Sequence, residues 1–381
     1  MKDKKLRVLH VINTLSAGGA ELHLLTLSKY LQRLGVDVAV AYLKDVPSSR
    51  PLRADFEAEG IPVFDLTDVG LIWPFSVFSL RRMLREEKPD ILHSHLPRAD
   101  FLCFLSHSVE PSSTWVCSVH DIHSKSWRAR RALPLYRFIW GKSDLIIAIS
   151  DAVKDWLVSE FHLPERKVYV VHYGLELGKF ESPSADFRAL HKLSSGPLIG
   201  SIGRLEPRKG FDILIQAMAI VTTEVPDVTL LIAGHDPWGY GKVIKGLINR
   251  FGLDREIRLI GFQNDIPSLL HALDIFAFAS RSEGFGQVVI EAMAAGKPVV
   301  ANKIPPMTEI VRDGETGLLV EAENPEALAR AIIWLLRHPE EAKQMGSRGA
   351  EYVKREFSAE RMAHEILSLY EKTIEGMRYK M

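Results

Sequence analysis

The chain has 381 residues, is 46% hydrophobic and 25% charged, and balances 48 Lys plus Arg against 48 Asp plus Glu. That length exceeds what one core usually serves, so two domains are expected. Balanced charge excludes a domain built for bulk nucleic-acid binding, two cysteines exclude a disulfide scaffold, and the lack of any long apolar run excludes a transmembrane helix. The first residues are charged like a secretory leader, but Arg7, His10 and Asn13 interrupt the apolar stretch behind them. That segment reads as a first strand, and a reducing cytoplasm is the expected location.

Taken in order, apolar β-branched runs alternate with helical periodicity, the pattern of parallel sheets. Strands are expected over 6–13, 36–42, 61–65, 90–95, 114–119, 144–149 and 168–172, with helices such as 20–34 and 76–87 between them. A second series is expected over 197–203, 228–234, 257–261, 274–279, 298–302 and 317–320, with helices over 211–223 and 241–251. Three helical patterns close the chain, over 325–337, 339–357 and 359–379. The organisation is two Rossmann-like halves in tandem. Strand signals lapse after Gly174 and Ser/Pro clusters come next, so the expected domains are 1–178 and 179–381.

Gly18 and Gly19 join the first strand to the first helix. Consecutive glycines there offer backbone N–H groups and a positive helix end to an anion, though a plain tight turn has the same residues. The third glycine of a dinucleotide fingerprint is absent. His93 and His95 close the fourth strand with both imidazoles on one face. No acidic or Cys partner stands at ligand spacing, so packing or capping is the default and no metal is expected. His120 ends the fifth strand, where it either donates to a ligand oxygen or bonds a backbone carbonyl. The segment from Lys125 to Lys142 carries Arg128, Arg130, Arg131 and Arg137 among Trp127, Tyr136, Phe138 and Trp140, with no acidic residue. It fits a helix drawn to anionic lipid, a site for a phosphorylated acceptor, or an amphipathic helix with a solvated basic face. The apolar loop 69–75 fits membrane insertion or core packing. Ser150 is a natural N-cap for the next helix.

Arg204 and Lys209, in Gly203-Arg204-Leu205-Glu206-Pro207-Arg208-Lys209-Gly210, come after the first strand of the second half. Fixed cations at that edge suit a nucleoside diphosphate, whose leaving phosphate gains charge. Further on, Gly284 and Gly286 let the backbone turn tightly and approach a ligand. The helix expected over 286–296 is apolar nearly all round except for Glu291, beside Gln287. Such a carboxylate must be paired, hydrogen-bonded, or bound to ligand hydroxyls at the C-terminal edge of the sheet.

The string from Glu283 to Val300, E-G-F-G-Q-V-V-I-E-A-M-A-A-G-K-P-V-V, closely resembles the signature of the retaining nucleotide-sugar glycosyltransferases of family 4. The resemblance runs through both halves in the expected motif order. It implies an α/β GT-B fold: two Rossmann-like domains facing across a cleft, with the final helix returning to the first. It implies an acceptor on the first domain and a nucleotide-diphospho-sugar on the second. By resemblance, Arg204 and Lys209 stabilise the leaving diphosphate, Glu291 holds the ribose hydroxyls, and Glu283 and His120 contact the sugar. Gly18 and Gly19 meet the phosphate, and Gly284, Phe285, Gly286 and Gln287 complete the donor loop. The implied reaction transfers a sugar with retention to a glycan, lipid-linked or small-molecule acceptor, in cell-surface polysaccharide or glycolipid synthesis. No cofactor beyond the donor, no metal and no nucleic-acid partner is expected, and the protein is expected in the cytoplasm, peripheral on the inner membrane face through Lys125 to Lys142.

Two positions depart from the family pattern. Pro305 and Pro306 stand where two glycines are usual, and proline nitrogens cannot donate, so donor contacts through this loop are not expected. Tyr173 stands where Asn is usual, before Gly174, a change that reads as one at the hinge. The same fold also serves nucleotide-sugar epimerases, phosphorylases and non-catalytic sugar-nucleotide binders. Turnover without an acceptor, a need for inorganic phosphate, or binding without transfer would mark each of these.

Overall fold

Strands of a parallel sheet are apolar where both their faces are buried, and the described residues form thirteen parallel strands. The computed structural model describes residues 5–44, 50–66, 73–109, 113–122 and 127–378, without the side chains of 73–75, 127–133 and 377–378. The chain forms two units, Met1–Gly174 with Ala359–Met381, and Leu175–Ser358.

The first unit holds β1 (Arg7–Ile12), β2 (Asp37–Tyr42), β3 (Val63–Asp65), β4 (Ile91–His95), β5 (Thr114–Val119), β6 (Leu145–Ala148) and β7 (Val168–Val170). They form one sheet in the order β3-β2-β1-β4-β5-β6-β7, and every pairing is parallel. In register, His10 of β1 lies beside His93 of β4, and Ile12 beside His95. The helix Gly19–Arg33 covers one face through Leu24, Leu27 and Leu31, all buried. The last helix, Ala359–Arg378, packs beside it and adds Met362, Ala363, Ile366 and Tyr370 to the same core. The return of the final helix to the first unit is as the family resemblance implies.

The second unit holds β8 (Leu198–Ile202), β9 (Thr229–Ala233), β10 (Ile257–Gly261), β11 (Ile275–Phe278), β12 (Val299–Asn302) and β13 (Leu318–Val320). Its parallel order is β10-β9-β8-β11-β12-β13. The helix Phe211–Glu224 shows why a segment becomes what it is. Its apolar residues recur as Phe211, Leu214, Ile215, Met218 and Val221, one face of a 3.6-residue period, and all are buried. Asp212 favours the positive N-terminal end, and Pro226 disfavours continuation through Val225.

In each sheet the direction of winding reverses once, between β1 and β4 and between β8 and β11. Open α/β sheets bind ligands at the C-terminal ends of strands flanking such a reversal. Strand ends depart from expectation by a residue or two, and one departure matters. The last strand of the first sheet stops at Val170 rather than 172, so Tyr173 leaves the ladder and turns its hydroxyl toward His120.

Candidate active site

In the second unit, the loops after β8 and β11 meet at the reversal. Beyond β8 the chain makes a single turn over Pro207–Lys209 and reaches Gly210 in a left-handed conformation, φ 64°. A Cβ at Gly210 would overlap the carbonyl oxygen of Ala279, so only glycine lets this loop lie against the end of β11. The backbone N–H of Arg281 donates to the Arg208 carbonyl at 2.8 Å, and the Ser280 hydroxyl oxygen lies 3.1 Å from that carbonyl. That register sets Lys209 opposite Glu283, Nζ to Oε1 at 2.7 Å, and the Ser280 hydroxyl donates to the same oxygen at 2.6 Å. Glu283 is only 6% exposed. Burial alone would raise its pKa, but the charges of Lys209 and Arg208 and the bonds from Lys209 and Ser280 outweigh it and hold the carboxyl below its usual value. An ammonium carries three donors, and Glu283 takes one. The result is a fixed cation at a sheet edge, aimed by a buried carboxylate.

Arg204 is half-exposed, 3.6 Å from Glu206, with its guanidinium 5.5 Å from the ring centroid of the exposed Trp238. The helix after the second loop runs over Gln287–Ala294 and starts from Gly286 at φ 98°, where a Cβ would meet the Met307 side chain. Gly284 is buried, and Phe285 lies in the core against Phe357, centroids 5.9 Å apart, so its side chain is a packing group. Glu291 accepts from Gln287 Nε2 at 2.9 Å. It keeps some solvent exposure, yet burial pushes its carboxyl up to about 7, against the opposing effects of the Gln287 bond and the Lys179 charge.

Two residues that the motifs do not single out complete this edge. Asn302, 1% exposed, donates through Nδ2 to the carbonyls of Ala279 and Ser280, at 2.8 and 3.1 Å. Arg281 grips Asp212 through both terminal nitrogens at 2.8 Å, which pins the second loop to the Phe211–Glu224 helix. Charge type in the motif is the available signal for Arg281. Asn302 gives none.

In the first unit, Gly18 caps the Gly19–Arg33 helix in an extended conformation without a side-chain cap. Glu21, in the first turn, accepts from Thr14 Oγ1 at 3.3 Å, and its carboxylate reaches beside Gly18. A ligand anion at this helix end would share it with Glu21. Across the reversal, the Asn13 side chain accepts from Ala99 N–H at 3.0 Å. Leu96, just past β4, has φ 75°, a left-handed strain of about 1–3 kcal/mol for a leucine.

His120 is buried with both ring nitrogens engaged, Nε2 with His95 at 3.0 Å and Nδ1 with the Tyr173 hydroxyl at 2.6 Å. A sugar oxygen would reach a His120 nitrogen only by displacing one of these partners. Tyr173 therefore bears on the candidate site and not on the hinge alone. His95 Nε2 pairs with His10 Nδ1 at 2.9 Å. His93 pairs with Tyr370 at 2.6 Å and with Ser118 at 2.8 Å. His10, His93 and His95 bring ring nitrogens within 4.8 Å of one another, a spacing that could hold a metal ion. Every one of those nitrogens except His10 Nε2 already has a hydrogen-bond partner, so a metal would have to break the network.

Of the basic segment, residues 123–126, including Lys125, and the side chains of Trp127, Arg128, Arg130 and Arg131 lie outside the described residues. Residues 69–72 and the side chains of 73–75 do as well. The helix Trp127–Lys142 buries Ile139 and Trp140, and the Trp140 indole donates to Asp100 at 2.9 Å. Leu135 and Phe138, 47% and 54% exposed, stand outward beside Arg137 and Lys142. No helix among the described residues is long and apolar enough to cross a membrane.

Two parallel α/β units, with charged and polar side chains gathered at the reversals of their sheets, form the GT-B fold. The profile of Glycosyltransferase Family 4 matches residues 17–179, and that of Glycosyl transferases group 1 matches 184–352. The chain is 33% identical to a D-inositol 3-phosphate glycosyltransferase of Segniliparus rotundus over 64% of its own length, a stretch spanning 56% of that protein. It is 30% identical to the lipopolysaccharide core biosynthesis mannosyltransferase LpcC of Rhizobium leguminosarum bv. viciae, over 63% of this chain and 68% of that one. Its fold is similar to that of Anabaena HepE, solved with UDP-glucose, at a TM-score of 0.86 and 25% identity, covering 96% of this chain and 100% of that one. The chain belongs to glycosyltransferase family 4, the group 1 glycosyl transferases.

Proposed function

We propose that the β8–β11 edge holds a uridine diphosphate sugar, and that the enzyme transfers the sugar with retention to a glycan, lipid-linked or small-molecule acceptor. The observation that carries this is the Lys209–Glu283 pair, a cation fixed by a buried carboxylate where ligands of open α/β sheets bind. Departure of a diphosphate leaves negative charge on its oxygens, and a preorganised cation offsets that charge without reorganising. Arg204 adds a second cation that swings more freely. In this reading the acceptor hydroxyl attacks from the face the diphosphate leaves. The sugar–phosphate C–O bond breaks, the new C–O bond forms, and a phosphate oxygen takes the hydroxyl proton. The chain's own cations supply what a metal ion supplies elsewhere, so metal is not part of the reading. Glu291 holds the ribose hydroxyls, Glu283 and His120 reach the sugar, and Gly18 and Gly19 offer backbone donors to a phosphate. Backbone groups of Gly284, Phe285, Gly286 and Gln287 line the donor.

Uridine is supported by HepE, whose structures contain UDP and UDP-glucose. A role in cell-surface polysaccharide or glycolipid synthesis is supported by the name of the mannosyltransferase LpcC. The test is calorimetric titration with uridine diphosphate. Ribose hydroxyls donate more strongly to an ionised carboxylate than to a carboxyl group, so binding favours ionised Glu291, whose carboxyl is pushed up to about 7 in the free protein. Affinity is expected to rise by up to about tenfold from pH 6 to pH 8. Glu291→Gln should remove most of that slope, and comparing the two proteins cancels the titration of the nucleotide itself. A uridine diphosphate affinity that is absent, or a slope that survives in Glu291→Gln, removes the donor site or the Glu291 role respectively.

A peripheral place on anionic membrane is supported by exposed Leu135 and Phe138 beside Arg137 and Lys142. Flotation with vesicles containing phosphatidylserine should carry the protein in low salt and release it in high salt. Leu135→Ser with Phe138→Ser should weaken the binding. Recovery that is indifferent to both salt and lipid charge leaves a solvated helix face.

A further inference from the structure

The buried histidines of the first unit are arranged as a line. His10 Nδ1 faces His95 Nε2, His95 Nδ1 faces His120 Nε2, and His120 Nδ1 faces the Tyr173 hydroxyl. Burial presses His10 and His120 down to about 3 and lowers His95 as well, so all three rings are neutral at working pH. Burial also raises the Tyr173 phenol, which keeps its proton. Each neutral ring carries one N–H, and each nitrogen–nitrogen contact needs one proton. The line therefore has only two arrangements. Either all three rings carry the proton on Nε2, with Tyr173 donating to His120, or all three carry it on Nδ1, with His120 donating to Tyr173.

The far end decides between them. His10 Nε2 is buried and meets no hydrogen-bond partner among the described residues. The first arrangement leaves an unpaired buried N–H there. The second leaves a lone pair there and turns the Tyr173 O–H away from His120, toward the negative charges of Glu21 and Asp121 that act on that phenol. Orphaned buried N–H groups are the rarer and costlier case. His23 stacks on the Tyr173 ring at 4.1 Å and fixes the other end.

We propose that His10, His95 and Tyr173 are positioning residues that hold His120 as an Nδ1–H donor, with the Tyr173 hydroxyl in the place a ligand oxygen takes. An oxygen that displaces Tyr173 then meets a donor, which selects sugar hydroxyl, ring or phosphate oxygens. Tyr173, at a position where the family usually has Asn, is thereby tied to the chemistry of the β5 edge. The ligand part rests on the glycosyl-transfer reading above, while the proton arrangement does not.

The experiment is long-range proton–nitrogen NMR of the full chain labelled with nitrogen-15 in histidine. His10, His95 and His120 are expected to share the Nδ1–H tautomer. In Tyr173→Phe both arrangements leave one orphan donor and one orphan acceptor, so mixed tautomers are expected at His10 and His95, which do not touch residue 173. Nε2–H rings in the wild type, or unchanged His10 and His95 in Tyr173→Phe, overturn the proposal. Kinetics gives the second readout. His95→Leu should lower turnover of uridine diphosphate glucose about tenfold or more with little change in its KM, and His95→Gln, which can accept and donate along the same line, should restore it. Equal loss in both variants overturns the positioning role. Ordered tautomers in a protein that turns over no nucleotide sugar would instead sink the glycosyl-transfer reading alone.

Discussion

Lys209→Ala is expected to lower turnover of a uridine diphosphate sugar on the order of 10²–10³-fold, with a much smaller change in donor KM. The asymmetry comes from when the charge appears. A diphosphate bonded to a sugar carries less charge on its bridging oxygen than one that has left, so a fixed cation gains most in the transition state. Lys209 is fixed because Glu283, buried beside it, accepts its bond at 2.7 Å and is held in turn by Ser280. The same substitution strands that carboxylate, and breaking a buried pair from one side costs about 3–5 kcal/mol. The pair keeps Glu283 below its usual 4.5, so the stability it contributes is present above that value and is lost as the pH falls through the lowered pKa. The two effects are separable. Turnover is measured well below the unfolding midpoint, with circular dichroism confirming the fold. Lys209→Ala combined with Glu283→Gln is the comparison, since it replaces the stranded carboxylate by a neutral amide and should restore much of the lost stability but not the turnover. Wild-type turnover in Lys209→Ala would take this residue out of the reacting site.

That pair also marks the limit of what the sequence reveals. Parallel strands buried on both faces are apolar runs, so all thirteen and the helices between them are legible from periodicity, with ends displaced by a residue or two. Lys209 and Glu283 lie on different loops, and no spacing rule brings them together. Only the family resemblance places both at one edge, and the register of Arg281 on Arg208 supplies the contact. Phe285 reads as a donor-loop residue in the string, but its side chain fills the core against Phe357. His10 stands out in the sequence only as an interruption of the first apolar stretch, with no site role. Its role emerges only once parallel pairing sets it beside His93 and within reach of His95. Tyr173 is visible as a departure from the family, but its partner is not, because His120 lies on a strand two positions away in the sheet.

The other large effect is expected from Gly210→Ala. Gly210 has φ 64° and ψ 25°, between the turn that carries Lys209 and the helix Phe211–Glu224. A left-handed alanine costs about 1–2 kcal/mol by itself. Gly252, at φ 68° past the end of the helix Gly241–Phe251, has open space where a Cβ would stand, with no atom within 4 Å, so Gly252→Ala measures that strain alone. At Gly210 the added methyl would also collide with the Ala279 carbonyl, a backbone atom that cannot rotate away. Overpacking of this kind adds about 1–3 kcal/mol. Relief can come only from separating the β8 loop from the end of β11, which is the juxtaposition that sets Lys209 on Glu283. Denaturant unfolding should therefore place Gly210→Ala well below Gly252→Ala in stability. Turnover should fall in the first and stay near wild type in the second. Equal stability of the two variants would mean that the loop gives way easily, and Lys209 would then owe its position to the ion pair rather than to the close approach of the two backbones.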